Sequence, residues 1–330
     1  MRPVFTRPDD LSDEQVADAV RTAWGVPVEA IEWAAVGFGS HHWRITSGHS
    51  RWFATTDDLV TKGREIDATD RRLRDALTTA VALRDAGLPF VVAPLLTARG
   101  DVLHAIDDRY ALALYPHVDG EPHPWGAYPS RSERLAVLEL VARVHATSAA
   151  VAESALRDDV AIASRAQLIA ALADLDTPWT SGPYAEPSRA LLQRHGAAVL
   201  RALDRVDRLT ASVRGRGAAL VVTHGEPHRA NTITTSEGPV LIDWETTLLA
   251  PPERDLWAMA AEDPRIPEDY RALTGTRVDD EALALYALWW DLTEVCGYTA
   301  VFRAPHRETA DTRQAWQGLE GYLSALVRAN

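Results

Sequence analysis

Lysine is almost missing from this chain. Lys62 is the only one in 330 residues, and arginine supplies the other cationic side chains. Any chemistry that needs a flexible ammonium falls on that one position. Cysteine is as scarce. Cys296 stands alone, so no internal disulfide can form, and a reducing, cytoplasmic setting is expected. Long apolar runs are missing too. No uninterrupted stretch reaches the roughly 18 residues of a membrane span, so a membrane is not an expected partner. Met1-Arg2-Pro3-Val4-Phe5 offers no apolar leader. Positive charge is short: 34 Lys and Arg face 47 Asp and Glu, a formal net charge of −13. Nucleic acid binding requires a basic face, so no nucleic acid is expected. A neutral or cationic substrate suits an acidic protein better, although acidity also serves solubility alone.

What is present predicts two lobes, because 330 residues exceed what one core usually organises. Ser12-Asp13-Glu14-Gln15 reads as a capping box opening a helix that runs to about Trp24. Strand-like runs follow over 33–36, 42–46 and 51–55, punctuated by Gly37, Gly39 and Gly48. A helix over 65–86 stops at Gly87, with Pro89 just beyond. Strands at 91–92 and 110–114 complete a sheet of antiparallel character crossed by one helix. Pro and Gly between Val118 and Gly126 mark a hinge. Helical periodicity then covers 135–150, 186–213, 280–302 and 312–329. The expectation is an α+β, bilobal chain: a sheet-plus-helix lobe over 1–114, a hinge over 115–120, and a mostly helical lobe over 121–330.

One island interrupts the helices. It reads Thr223-His224-Gly225-Glu226-Pro227-His228-Arg229-Ala230-Asn231 and, after a hairpin over Ser236-Glu237-Gly238, Leu241-Ile242-Asp243-Trp244-Glu245. Phosphoryl transfer needs a carboxylate facing the attacking hydroxyl and oxygen ligands holding magnesium on the phosphates. Kinase catalytic loops supply an acid, an Asn five residues later, and an Asp on the next loop. Glu226 and Asn231 have that spacing, and Asp243 ends the next apolar strand.

These residues resemble the signature of the aminoglycoside phosphotransferase family, which is related in fold to protein kinases. Ala250-Pro251-Pro252-Glu253-Arg254-Asp255-Leu256 is similar to that family's motif in which an Asp-Leu pair anchors the catalytic loops. The wording resembles the spectinomycin-type branch, and the sharp motifs cover residues 224–256. The resemblance implies a protein-kinase-like fold, with ATP or GTP and Mg²⁺ between the lobes. It implies that Asn231 and Asp243 ligate the metal while Glu226 orients, or deprotonates, an acceptor hydroxyl. The acceptor would be an aminoglycoside, aminocyclitol or nucleoside antibiotic, in a resistance or self-resistance setting. A metabolic kinase of a sugar, choline or homoserine-like alcohol has the same signature, and a nucleotide-binding pseudokinase shares much of it. Monomer and homodimer both remain open.

Two departures stand out. Glu226 sits where the family has Asp, one methylene shorter. The strand over 51–56 has no Lys where kinases place one to hold phosphates. Arg44, Arg51 and Lys62 are the cations nearby, with Arg44 and Lys62 preferred, and Glu65 or Asp67 would be the pairing helix acid. Gly37-Phe38-Gly39-Ser40 reads either as a phosphate-covering turn or as a plain hairpin. Tyr115 and His117 fall where the hinge would meet the purine.

Other residues carry two readings. His224 and His228 cannot form a helical zinc site, because Gly225 and Pro227 break the helix; the family resemblance implies that His224 is a structural histidine bracing the loop. His41 and His42 point to opposite strand faces, one buried and one exposed. His145 reads as helix packing, and Asp255 as a buried acid bonding loop amides. Glu245 reads as an extra metal or phosphate neighbour or as a solvated turn residue. Leu285, Leu288, Leu292 and Val295 form an apolar stripe, with Asp291 and Glu294 on another face. The resemblance makes those acids, with Trp290 as a stacking surface, candidates for acceptor binding; a plain solvated helix face explains them too. Trp125, Trp179 and Tyr184 either line the acceptor cleft or cap the core.

Overall fold

The computed structural model describes residues 3–62 and 65–329; the start at Met1-Arg2 lies outside them. The capping box opens α1 (Asp13–Trp24): Gln15 N–H donates to Ser12 Oγ at 3.2 Å, and Ser12 N–H to Gln15 Oε1 at 2.9 Å. Then come β1 (Ala30–Ala34), β2 (Ser40–Ser47), β3 (Ser50–Asp58), α2 (Ile66–Asp85), β4 (His104–Ala105) and β5 (Tyr110–Pro116). These strands form one antiparallel sheet in the order β1-β2-β3-β5-β4. The period-two alternation of β5 sorts its two faces. Tyr110, Leu112 and Leu114 pack with Val16 and Val20 of α1, while Ala111 and Ala113 face Leu73, Leu77 and Ala80 of α2.

The rest is mostly helical. It comprises β6 (Glu121–Pro122), α3 (Arg131–Val151), α4 (Arg165–Ala173), α5 (Ala185–Gly215), β7 (Val221–Thr223), β8 (Thr232–Thr235), β9 (Gly238–Leu241) and β10 (Leu248–Ala250). Then follow α6 (Glu253–Glu262), α7 (Ile266–Thr274), α8 (Asp280–Arg303) and α9 (Ala310–Ala329). Two small antiparallel sheets, β6-β8-β9 and β7-β10, carry the polar island. Helix α3, with the turn after it, is long and apolar enough to cross a membrane by length and composition. Here it packs on α2, β7 and α7 with Val137, Leu138, Val141 and Val144 in the core.

Three expectations change. Residues 91–92 do not join the first sheet. Val92 N–H donates to the Leu241 carbonyl at 3.0 Å, and Leu241 N–H to that of Phe90 at 2.8 Å. The segment therefore ties the first lobe to the strand that delivers Asp243. One apolar core runs from α2 through α3 to Trp244, Leu256 and Tyr270, so the lobes share it. Helix α8 has no broad solvated face. It is wrapped by α4, α5, α6 and α9, and Glu294 is buried along with the apolar stripe. Helix α6 escaped the periodicity reading because Glu253, Arg254 and Asp255 in its first turn are all buried. A polar buried face leaves no apolar period to detect.

Candidate active site

The catalytic island is two loops stitched together by buried polar groups. After β7, residues 224–228 lead into a 3-10 turn (Arg229–Asn231); after β9, residues 242–247 lead into β10. Asp255, in the first turn of α6, accepts the N–H groups of His224 at 2.9 Å and Gly225 at 2.6 Å. His145 Nε2 lies 3.1 Å from the same carboxylate, and its Nδ1 lies 2.8 Å from the Tyr270 hydroxyl. His145 is thus more than packing: it fixes the acid that fixes the loop. Arg254 donates to Thr223 Oγ1 and to the Thr246 carbonyl, each at 2.8 Å. Gly225 holds φ +99°, and a Cβ there would stand 2.5 Å from Arg254. Only glycine fits that conformation beside that side chain.

His224 joins the loops directly. Its Nε2 donates to the Ile242 carbonyl at 2.8 Å, and its Nδ1 accepts the Glu226 N–H at 3.2 Å. Those bonds require the neutral ring, and burial lowers its pKa to the same effect. The brace read from the sequence is present. Asn231 Nδ2 donates to the Glu226 carbonyl at 3.1 Å, and Ile242 N–H donates to the Asn231 carbonyl at 3.0 Å. Glu226, Asn231 and Asp243 are thereby held in one network.

Charge is concentrated here. Glu226 is buried, and its Oε2 has no hydrogen-bond partner. Burial works against its ionised form; His228 Nε2, 3.5 Å away, works for it, and the net shift is downward. Asp243 sits at φ +67°, a strained conformation for a non-glycine residue. Burial and the charge of Glu226 push its carboxyl up to about 7. Burial does the same to Glu245, to about 8, against the pull of Lys62. Glu245 is therefore not a solvated turn residue.

The first lobe contributes a different set of groups from the one expected. Gly37 and Gly39 take φ of +79° and +85° in the connection from β1 to β2. Ser40 begins β2 directly across from Asp57 on β3. Lys62, in the turn after β3, reaches into the cleft, 2.6 Å from Asp57 and 3.0 Å from Glu245. Arg44 is exposed in the middle of β2, opposite Phe53 and Glu32, and does not join this group. Glu65 and Asp67 are exposed, so neither is the lysine's partner. Asp57 is, and no sequence signal pointed to it. His41 and His42 are both half-buried rather than split, because the glycine turn folds over them; His42 stacks on Phe53 at 5.1 Å. Tyr115 lies half-buried at the end of β5, where burial first and then Asp57, Asp243 and Glu245 raise its pKa. His117 lies beyond the strand, its N–H donating to the Arg51 carbonyl at 3.2 Å.

A cleft of about 210 Å³ opens beside Glu226, lined by Trp125, His228, Trp257, Glu262 and Trp290. Trp125 is exposed at its lip, 4.2 Å from the His228 ring and nearly parallel to Trp290 at 6.2 Å. Trp290 Nε1 donates to the Tyr322 hydroxyl at 3.2 Å. Burial pushes half-buried Asp291 up to about 6, with buried Glu294 adding to the shift. Tyr322 feels the charges of Glu294, Asp291 and Glu226, which puts these acids around one region. Trp179 and Tyr184 belong to the core of α5, α8 and α9 instead, with Tyr184 stacked on Trp316.

A family model described as the phosphotransferase enzyme family matches residues 42–298. The chain belongs to this family. Protein StrN of Streptomyces griseus is 27% identical to it over 299 residues, 86% of this chain and 84% of that protein. A structure of spectinomycin phosphotransferase with ADP and spectinomycin superposes with a TM-score of 0.72 at 13% identity, covering 97% of this chain and 98% of the other. A choline kinase from Streptococcus pneumoniae superposes with a TM-score of 0.56 at 14% identity, covering 94% and 98%. This phosphotransferase therefore has the kinase-like fold, with small antiparallel sheet and larger helical part.

Proposed function

We propose that this phosphotransferase moves the γ-phosphate of ATP or GTP, with Mg²⁺, to a hydroxyl of a small molecule of the aminoglycoside, aminocyclitol or nucleoside antibiotic class. One observation carries the reading. A buried carboxylate oxygen of Glu226 faces a cleft with no hydrogen-bond partner, the His228 ring nitrogen standing 3.5 Å off, in the network that also fixes Asn231 and Asp243. A buried acceptor without a partner is costly, and an acceptor hydroxyl supplies the missing donor. The residues also suit a divalent cation. Asn231 spends its Nδ2 on the Glu226 carbonyl, which leaves Oδ1 as an acceptor. Among the described residues no donor is bonded to the Asp243 carboxylate, whose ionised form is opposed by its surroundings.

In the reaction, Glu226 holds the hydroxyl in line and takes its proton as the hydroxyl oxygen bonds to the γ-phosphorus and the bond from that phosphorus to the β-phosphate's bridging oxygen breaks, releasing the nucleoside diphosphate. Asn231 and Asp243 would hold the metal, which supplies charge neutralisation on the phosphate oxygens. Lys62 supplies positive charge from the first lobe. The three tryptophans give a ring-shaped acceptor an apolar wall, and Asp291 and Glu294 give its ammonium groups a negative field. The same tryptophans suit a quaternary ammonium alcohol by cation–π attraction, so choline is the second reading.

The test is incubation with Mg-ATP or Mg-GTP and a panel of aminocyclitols, aminoglycosides, nucleosides, choline and amino alcohols, followed by mass spectrometry. A phosphate mass gain on one acceptor class is expected. No product from any acceptor, with no thermal shift from nucleotide, would sink the kinase reading. Glu226→Gln should lose about 100- to 10,000-fold in turnover; near-wild-type turnover would deny Glu226 the proton-accepting role and favour mere positioning.

A further inference from the structure

The cation of the first lobe is held by two acids that differ in kind. Asp57 is 2% exposed, on a strand, and the Ser40 hydroxyl donates to its Oδ1 at 2.7 Å. Ser40 and Asp57 are also direct cross-strand partners, so the acid is fixed by backbone register as well as by a hydrogen bond. Glu245 has a longer arm, is 14% exposed, and meets Lys62 at 3.0 and 3.3 Å. It belongs to the other lobe, two residues past Asp243. The turn that carries Lys62 is itself braced. Asp58 accepts from the Arg109 guanidinium at 2.6 and 3.1 Å and from Val60 N–H at 3.1 Å. With both acids ionised, one ammonium between them leaves a net negative charge, which repels an incoming phosphate. One acid must therefore let go or be neutralised, and the geometry says which.

We propose that Asp57 positions Lys62 for the donor phosphates in place of a helix acid, and that Glu245 is the partner Lys62 exchanges for a phosphate oxygen. Asp57 stays bonded throughout. A lysine ammonium has three donors, enough for Asp57 and phosphate together. Glu245, once released, lies two residues from Asp243, where a divalent cation held there would neutralise it. The exchange makes metal and nucleotide binding mutually dependent, because each removes what opposes the other. It rests on the kinase reading of the site.

The test is calorimetric titration of ADP, with and without Mg²⁺, into the full chain and its variants, each checked for folding by circular dichroism. Lys62→Met should weaken Mg-ADP binding about 10- to 100-fold, as loss of a charge-assisted hydrogen bond does. Asp57→Asn should come close to that loss, and the double variant should be no worse than Lys62→Met alone. Glu245→Gln should bind metal-free ADP more tightly than the wild type, and that gain should vanish in the Lys62→Met background. If Asp57→Asn does not fold, Ser40→Ala in the Glu245→Gln background replaces it, because the Ser40 hydroxyl also lies 3.3 Å from Glu245 Oε2, with a smaller loss of the same kind expected. Wild-type affinity in Asp57→Asn (or, in its Ser40→Ala replacement, the affinity of Glu245→Gln alone), additive losses in the double variant, or a Glu245→Gln gain that persists without Lys62 would each overturn the proposal. A wild-type chain that binds no nucleotide fails the kinase reading itself; a wild type that binds while Lys62→Met binds equally fails only this inference.

Discussion

The His224 imidazole donates from Nε2 to the carbonyl of Ile242 at 2.8 Å, and this bond sets the spacing between the loop of Glu226 and the loop of Asp243. Its other nitrogen accepts the Glu226 N–H. Replacing His224 by Ala strands a buried carbonyl and a buried amide, at about 1–3 kcal/mol. A shift of about 1 Å in the catalytic acid costs on the order of 100-fold in turnover. Urea denaturation and steady-state kinetics of His224→Ala should show both losses. Turnover at the wild-type level would mean the loops are aligned by Asp255 alone.

Gly225 gives a sharper steric test. Gly225→Ala places a methyl 2.5 Å from Arg254 and 2.6 Å from Thr246 at a φ that side chains rarely adopt. Strain and overpacking together should cost about 2–4 kcal/mol. The loss is read as a lower denaturation midpoint. A variant as stable as the parent would show that Arg254 moves freely, contrary to its buried bonds to Thr223 and Thr246.

Asp243 and Glu245 make stability depend on pH with a defined sign. Burial first, then neighbouring acids, raise both folded-state pKa values, to about 7 and about 8. An acid whose pKa is raised by folding binds its proton more tightly in the native chain, so their contribution to stability is greatest at low pH. That contribution should drain away as pH rises from about 4 to about 8. Magnesium should restore stability at the upper end, and Asp243→Asn should flatten the profile between about pH 4 and 7. Asn tolerates positive φ, so this variant should fold while losing turnover. Melting temperatures at pH 5, 7 and 8.5, with and without magnesium, check the sign; a melting temperature that climbs between pH 7 and 8.5 would contradict it.

Trp125 is the accessible member of the aromatic wall. Trp125→Ala removes a contact surface without opening the core, so stability should hold within about 0.5 kcal/mol. Loss of one stacking or cation–π contact should raise the acceptor KM about tenfold. Nucleotide KM should stay unchanged if, as proposed, the cleft beside Glu226 that Trp125 lines takes the acceptor. An equal rise in both would place Trp125 in lobe closure instead.

Much of this site was written locally. Glu226, Asn231 and Asp243 could be grouped from their order and spacing on two adjacent loops, and the structure brings them into one hydrogen-bonded network. Asp255 was legible as a buried acid, and His224 as a brace through the family resemblance. The capping box of α1 needs only four consecutive residues, and it formed as read.

The sequence could not show which groups meet across distance. Asp57 looks like one acid of an ordinary strand end, and it becomes the partner of Lys62 only because β2 and β3 pair in register and the following turn folds back. Arg44 looked equally suitable, but the period of two in β2 turns it to solvent. The acids of α8 looked solvated until four helices closed around them. By itself the sequence determined the reaction class and the polar island of Glu226, Asn231 and Asp243, because those contacts are short-range in the chain. Tertiary structure alone decided which acids hold Lys62 and which side chains wall the cleft beside Glu226. Those depend on segments as distant as Trp125, Lys62 and Trp290, which only packing brings together.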